Sequence, residues 1–520
     1  MTSHILSYII FTPLIGAFVI AFLPKGQADK AKWVGLVTTL FVGGFTLLAF
    51  SQFQLTGEFQ MVEQAQWIPL FGVQYILGTD GISFPMVFLT ALISILACGA
   101  SFGIKERQKE YFVFYLLLET GMLGTFLALD LFLFYVFWEV VLVPMYFLIG
   151  IWGGPRKEYA AIKFFLYTLA GSLFMLLGIL AVYFESTPHT FDLRVIGDQN
   201  FPLLFQKWVF MAFFLGFAIK VPIFPFHTWL PDAHVEAPTP VSVILAAVLL
   251  KMGTYGLLRF NYTLFPDAAH WFQPAMFVLA IIGIVYGGFV ALAQTDFKKM
   301  VAYSSVSHMG FVLLGLAALN EVGLRGAMVQ MFTHGTITGG LFLLVGVLYD
   351  RAHTRDMTAF GGLSGKVPVY AGILIFFSMA SLGLPGLSGF IGEFMVLLGG
   401  FMAHKTEHLL FDPRIATGVA CLGIILAATY LLYMIQRILL GPLNEKWSGL
   451  SEINGREIAT LVPLMVLVVL IGVYPSLLID YVDPTLDKLD ALLSSAASSA
   501  GLEKLDTLLS SAASSAGGAP

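Results

Sequence analysis

The sequence predicts an all-α integral membrane protein of about 14 transmembrane helices, on three observations. Of 520 residues, 58% are hydrophobic and only 11% charged, against roughly 25% charge in a soluble domain. Mean hydropathy is +0.86. Apolar runs recur from end to end, many reaching the roughly 20 residues that a helix needs to cross hydrocarbon. The bilayer core cannot solvate a bare backbone, so such runs must close their hydrogen bonds within helices.

In chain order the candidate spans cover 5–23, 33–50, 82–103, 111–129, 131–152, 160–184, 208–229, 241–260, 274–293, 301–319, 324–349, 369–402, 415–440 and 458–479. The opening MTSHILSYII lacks a basic stretch and a small-residue cleavage site, so the first run reads as a retained helix. Loops after odd-numbered spans hold about twice the Lys and Arg of the others, which include Arg194, Lys207, Arg259, Arg325, Lys405 and Arg414. The positive-inside bias then places both termini on the outer side.

Spans 7 and 12 read as broken. Span 7 carries Pro222 and Pro225 just after Lys220, and span 12, too long for one straight crossing, carries Gly383-Leu384-Pro385-Gly386. Proline removes a backbone donor and opens the helix there. Discontinuous helices at corresponding places in two halves point to a transport site. Spans 4–8 and 9–13 are those halves, and an odd number of helices per unit inverts the second. No residue-level repeat between them is visible. The organisation expected is residues 1–110 for helices 1–3, 111–260 and 261–440 for the two repeats, 441–480 for helix 14, and a 481–520 tail. In the tail Leu486–Gly501 recurs as Leu502–Gly517, nearly unchanged. It reads as a short amphipathic helix at the outer surface or a solvated low-complexity stretch.

A charged side chain at the bilayer centre costs about 2.5–3.5 kcal/mol on insertion scales, which makes each one a functional candidate. Glu139 lies in span 5, Lys220 in span 7, Lys251 in span 8 and Glu393 in span 12. Both lysines fall near mid-span. A buried lysine suits a proton relay, because burial favours the neutral amine while an adjacent carboxylate restores the charge. Glu139 beside Lys220 would make such a switch; a structural ion pair is the plainer alternative. His308 and His334, in spans 10 and 11, could pass a proton between Lys251 and Glu393, or simply hydrogen-bond across helices. Glu119 in span 4 is balanced between relay and packing carboxylate. His227, Asp232 and His234 follow the break in span 7, toward the cytoplasmic side, and either line an intake path or pack a loop.

Other chemistry is excluded by composition. Cys98 and Cys421 are the only cysteines, each inside an apolar run, so the chain has no cysteine cluster for iron–sulfur or structural zinc. No GxGxxG follows a strand, and Gly361–Lys366 has the wrong spacing for a phosphate loop. No cofactor, metal or nucleic acid is expected on this chain.

The stretches Phe132–Gly150 (FLFYVFWEVVLVPMYFLIG), Lys220–Gly256 (KVPIFPFHTWLPDAHVEAPTPVSVILAAVLLKMGTYG), Ala293–Gly310 (AQTDFKKMVAYSSVSHMG) and Leu382–Phe394 (LGLPGLSGFIGEF) together resemble the antiporter-like subunits of respiratory NADH:quinone oxidoreductase, complex I. The resemblance covers essentially all the spans. Glu393 in span 12, where subunits L and N and Mrp-type cation/proton antiporters typically carry lysine, looks like the M branch, as does the absence of a long lateral helix after span 14. The resemblance implies two inverted five-helix repeats, Glu139 and Lys220 as a coupling pair, Lys251 as central relay, Glu393 as distal site and His334 as the connecting group. It also implies a proton-pumping role without redox chemistry. FMN, iron–sulfur clusters and quinone would belong to other subunits, with L and N as neighbours in a bacterial plasma membrane rather than a mitochondrial one. An Mrp-type antiporter subunit is the alternative, and a haem carrier ligated by His308 and His334 is a third.

Overall fold

In the computed structural model, residues 4–404, 409 and 411–516 are described; Lys405 and Gly517 lie outside them. Helices dominate. They are α1 (Ile5–Ala21), α2 (Ala31–Phe50), α3 (Ser83–Ala100), α4 (Gln108–Leu127), α5 (Leu131–Trp152), α6 (Lys157–Glu185), the short α7 (Leu193–Gly197), α8 (Leu203–Lys220) and α9 (Trp229–Glu236). There follow α10 (Thr239–Tyr262), α11 (Pro266–Leu292), α12 (Phe297–Ala317), α13 (Glu321–Ala352), α14 (Pro368–Ser381), α15 (Ser388–Met402), α16 (Pro413–Leu439), α17 (Gly455–Val473) and α18 (Ser476–Ala516).

Among the described residues, 12 helices are long and apolar enough to cross a membrane. The expected spans 1 and 12 are represented by shorter apolar pieces, α1, α14 and α15. At about 1.5 Å per residue, neither α14 nor α15 alone covers the roughly 30 Å of hydrocarbon. Helices α10, α12 and α13 are buried on nearly all sides, whereas α2, α6, α11 and α17 expose much of their apolar surface. A helix that is apolar all round belongs in the centre of a bundle, and that centre holds Lys251, His308 and His334.

The breaks follow the sequence. Helix α8 stops at Lys220, and residues 221–228 turn through Pro222 (φ 32°) and a cis Phe224–Pro225 bond. The Ile223 N–H reaches back to the Ala218 carbonyl, and the Trp229 indole N–H donates to the Ile219 carbonyl at 2.8 Å, so the freed end of α8 stays satisfied. Between α14 and α15 the chain turns at Gly383 (φ +79°) and Gly386 (φ +92°), conformations that glycine adopts without strain. A Cβ on Gly383 would also stand 2.8 Å from Glu393 Oε2.

Two devices of the same design clasp helix ends. Asp130 caps α5, accepting from the Phe132 and Leu133 N–H groups, and Asp296 caps α12, accepting from Lys299 N–H. Leu131 N–H donates to the Phe191 carbonyl and Leu193 N–H to the Leu129 carbonyl, both at 2.9 Å. Phe297 N–H donates likewise to the Arg355 carbonyl (2.8 Å) and Met357 N–H to the Thr295 carbonyl (2.9 Å). Asp130 thus bridges Asp192, and Asp296 bridges Asp356. Each bridge also holds an arginine, Arg194 on Asp192 and Arg355 on Asp296.

Three expectations need correction. The chain is not purely α: β1 (Gln60–Ile68) and β2 (Val73–Thr79) form an antiparallel hairpin between α2 and α3. It was hidden because only Glu63 is buried on β1, so no apolar alternation marks the strand. Glu63 turns inward to accept the Leu6 N–H at 2.7 Å, tying the hairpin to α1. The last span ends at Val473, ahead of Pro475, and the chain continues as a helix of 41 residues, α18, where no long helix was expected. Leu486, Leu489 and Leu493 are buried as α18 packs on α11 and α13. Finally, Arg259, taken as a loop cation, is buried within α10.

Candidate functional site: a buried row of ionisable groups

Helix α10 is not uniform. Residues Leu245–Leu249 and Leu257–Tyr262 are π-helical, on either side of an α segment, Leu250–Gly256. A π turn loosens the backbone ladder and is frequent at functional sites. Lys251 starts just after the first such turn, and its ammonium donates to the Ala246 carbonyl at 2.6 Å. The same nitrogen is 2.6 Å from His334 Nδ1, on α13.

From His334 the row continues. Its ring lies 5.7 Å, centroid to centroid, from that of His308 on α12, and its Nε2 has no partner. His308 Nδ1 stands 3.0 Å from Glu393 Oε1 on α15, while its Nε2 is 3.2 Å from Ser381 Oγ and 3.3 Å from the Tyr430 hydroxyl. Between the two rings lies a cavity of about 10 Å3 bounded by Gln330, Thr333, Ser381 and Glu393, on the scale of one water molecule. All four titratable groups from Lys251 to Glu393 are buried. The structure therefore joins Lys251, His334, His308 and Glu393, residues from four helices.

The expected contact between Glu139 and Lys220 takes another form. No ion pair joins them: the Lys220 ammonium rests on the indole face of Trp138, 5.1 Å from its centroid, with Phe164 at 5.7 Å. Trp138 precedes Glu139 on α5, so the carboxylate is within electrostatic range of the cation. Glu139 is half-buried, and its Oε1 makes no hydrogen bond. An ammonium over a desolvated indole gains ~2 kcal/mol or more.

The secondary candidates divide. Asp232 is held by Lys163 at 2.8 Å and Arg156 at 3.8 Å, so it serves an ion-pair cluster at the end of α9. His227 packs edge-on to Tyr286 and makes no hydrogen bond. His234 is fully buried, stacks on Phe342 at 4.4 Å and lies within electrostatic range of Lys251 and Lys298. Glu119 is completely buried on α4, with Ser94 of α3 as polar neighbour.

Sequence reasoning missed Tyr430, Ser381 and Lys298. Tyr430 sits in an apolar run with no signal. Lys298 had been assigned to a loop, but it is buried and its ammonium donates to the Ala237 carbonyl. Beside it opens a cavity of about 590 Å3 whose wall includes Glu236, Asp350, His353, Arg355 and Glu457. It lies at the opposite end of the bundle from the hairpin.

Residues 128–413 match the family model described as NADH:quinone oxidoreductase/Mrp antiporter, TM, and residues 10–129 that of NADH-ubiquinone oxidoreductase chain 4, amino terminus. NADH-quinone oxidoreductase subunit M of Rhodobacter capsulatus is 46% identical over 506 residues, 94% of this chain and 96% of that one. NADH-ubiquinone oxidoreductase chain 4 of Arabidopsis thaliana is 42% identical over 488 residues, 93% and 96% of the two chains. A chain of respiratory complex I from Thermus thermophilus superposes with TM-score 0.85 at 31% identity, covering 95% of this chain and 100% of that one. A chain of the Mrp complex from Dietzia sp. shares the fold at TM-score 0.82 and 20% identity, over 95% and 99%.

Proposed function

The chain belongs to the NADH:quinone oxidoreductase antiporter-like family, on its subunit M (chain 4) branch, and from that premise we propose how its buried row moves protons. The observation that carries the reading is the row from Lys251 through His334 and His308 to Glu393 at the centre of the bundle, with close polar contacts at both ends and a cavity of one-water size between the two imidazoles. Lys251 and His334 can share a proton along their short contact, and rotation of either imidazole hands it on toward Glu393. Lys220, on its indole platform, feeds this run. Glu139 is the coupling partner: when its carboxylate approaches, the ammonium is favoured, and when it withdraws, the proton is released toward Lys251. Moving one charge against 100 mV costs about 2.3 kcal/mol, so quinone reduction elsewhere in the complex drives the cycle. The chain itself supplies no redox centre in this reading; FMN, iron–sulfur clusters and quinone belong to other subunits.

The cavity beside Lys298 is the intake, and His234, between Lys298 and Lys251 electrostatically, is its inner step. Fourteen crossings result when α8 pairs with α9 and α14 with α15 as two discontinuous spans, and the matching Asp130–Asp192 and Asp296–Asp356 clasps support two inverted repeats. Both termini then face the outer side of a bacterial plasma membrane, beside subunits L and N. The Mrp-antiporter alternative rests on a shared fold and on a family model common to both; copurification with NADH dehydrogenase activity separates the two.

The test replaces Lys220 with Ala in the host and follows NADH-driven proton uptake into inverted membrane vesicles, with assembly of the complex measured in parallel. Assembled complex that loses most of its pumping supports the relay. Assembled complex that pumps normally makes Lys220 structural and removes the coupling step.

A further inference from the structure

Helix α10 carries a second ionisable group on the face of Lys251. Tyr255 stands one turn on and Arg259 one turn further, toward the hairpin end of the bundle. The Arg259 Nε donates to the Tyr255 hydroxyl at 3.4 Å, and that hydroxyl donates to the Phe126 carbonyl of α4 at 3.1 Å. Arg259 Nη2 donates to Asp80 Oδ1, and both side chains are almost completely buried, 4% and 3% exposed. Asp80 is fixed in turn by the Ile82 and Ser83 N–H groups at 3.1 and 3.0 Å.

The surroundings form a lid. Asp80 directly follows β2, and Phe59, directly before β1, lays its ring 5.1 Å from the guanidinium. Gly81 N–H donates to Thr485 Oγ1 of α18 at 3.0 Å. Hairpin, α3, α10 and α18 thus converge on one ion pair that has no partner in the row. A desolvated guanidinium on the axis of a proton path is an electrostatic barrier to a second positive charge, and its carboxylate partner makes the burial tolerable.

We propose that the Arg259–Asp80 pair is the seal that closes the hairpin-side end of the path through Lys251 against proton back-flow. The inference rests on the reading of Lys251 as part of that path. The seal acts by charge and by the exclusion of water: the pair takes up no proton during turnover, and the hairpin and α18 hold it dry.

The experiment uses the whole complex in inverted membrane vesicles. A pH gradient is imposed without NADH, and its decay is followed with a pH-sensitive dye. The double variant Asp80→Asn/Arg259→Gln removes both charges and leaves an amide at each position, Asn matching Asp in size and Gln shorter than Arg. Assembled complex should then lose the gradient several-fold faster than wild type, and adding Lys251→Ala should restore slow decay. Phe59→Ala, which uncovers the guanidinium and leaves both charges in place, should give a smaller acceleration and serves if the double variant does not assemble. Wild-type decay in assembled double variant or, failing its assembly, in Phe59→Ala overturns the seal, as does fast decay that Lys251→Ala leaves unchanged. Failure of the relay reading shows separately, as normal NADH-driven pumping by the single Lys251→Ala complex.

Discussion

Lys251 Nζ and His334 Nδ1 are 2.6 Å apart, across the interface of the two most enclosed helices of the bundle. His334→Gln keeps an acceptor for the ammonium but cannot hand a proton on. Proton uptake per NADH oxidised should fall by ~10-fold or more in both His334→Gln and His334→Ala, since a positioned acid–base group contributes roughly 10²–10⁴. Rescue by Gln would reduce His334 to a hydrogen-bonding strut.

The distal end should behave in parallel. Glu393→Gln can still accept from His308 across the same 3.0 Å contact but carries no charge, so pumping by assembled complex should drop while Glu393→Asp retains part of it. Equal activity in Gln and wild type would place the end of the path elsewhere.

Trp138 is the third target. Its indole supports the Lys220 ammonium, and replacement by Leu removes about 2 kcal/mol, which at ~1.4 kcal/mol per decade is more than tenfold in the charge state of the lysine. Coupled pumping should fall sharply in Trp138→Leu and less in Trp138→Phe, read against NADH oxidation by the same vesicles.

Asp130 yields a pH prediction outside the spans. Burial pushes its carboxyl up from 3.8 to about 6, against the pull of three N–H donors from Gln74, Leu133 and Phe132. Raised in the folded state, this group stabilises the fold below its unfolded value, and that contribution is lost as pH rises through about 6. Asp130→Asn keeps the acceptor and removes the slope. Its Tm relative to wild type should therefore rise between about pH 5 and pH 7.5 in the solubilised complex; a constant difference would refute the assignment.

Much of this was legible in the sequence, for a physical reason. Burying a charge in hydrocarbon is expensive, so Lys251, Glu393, His334 and Lys220 stood out from apolar runs, and Pro222, Pro225 and Pro385 marked the helix breaks. Depth at the ends of spans was not legible. Arg259 and Lys298 read as loop cations because a charge near a boundary can equally well be wet or buried, and only the packing of neighbouring elements decides. The hairpin was silent because its outward side chains are mixed in polarity. The two aspartate clasps are a parallel that the sequence concealed: Asp130 and Asp296 play the same part at their helix ends, but the residues around them do not match.

The paired π turns of α10 have a mechanical consequence. Each takes up one residue more than an α turn would, so Leu250–Gly256 hangs between two stores of slack. Passing one residue of slack from one store to the other would spin that short segment by about 100° with neither end of the helix displaced. Such a turn would carry Lys251 away from His334, and the bare flanks of Gly253 and Gly256, seated against Val221 and Phe217, hold the segment at its present setting, like a tumbler pinned inside a fixed barrel.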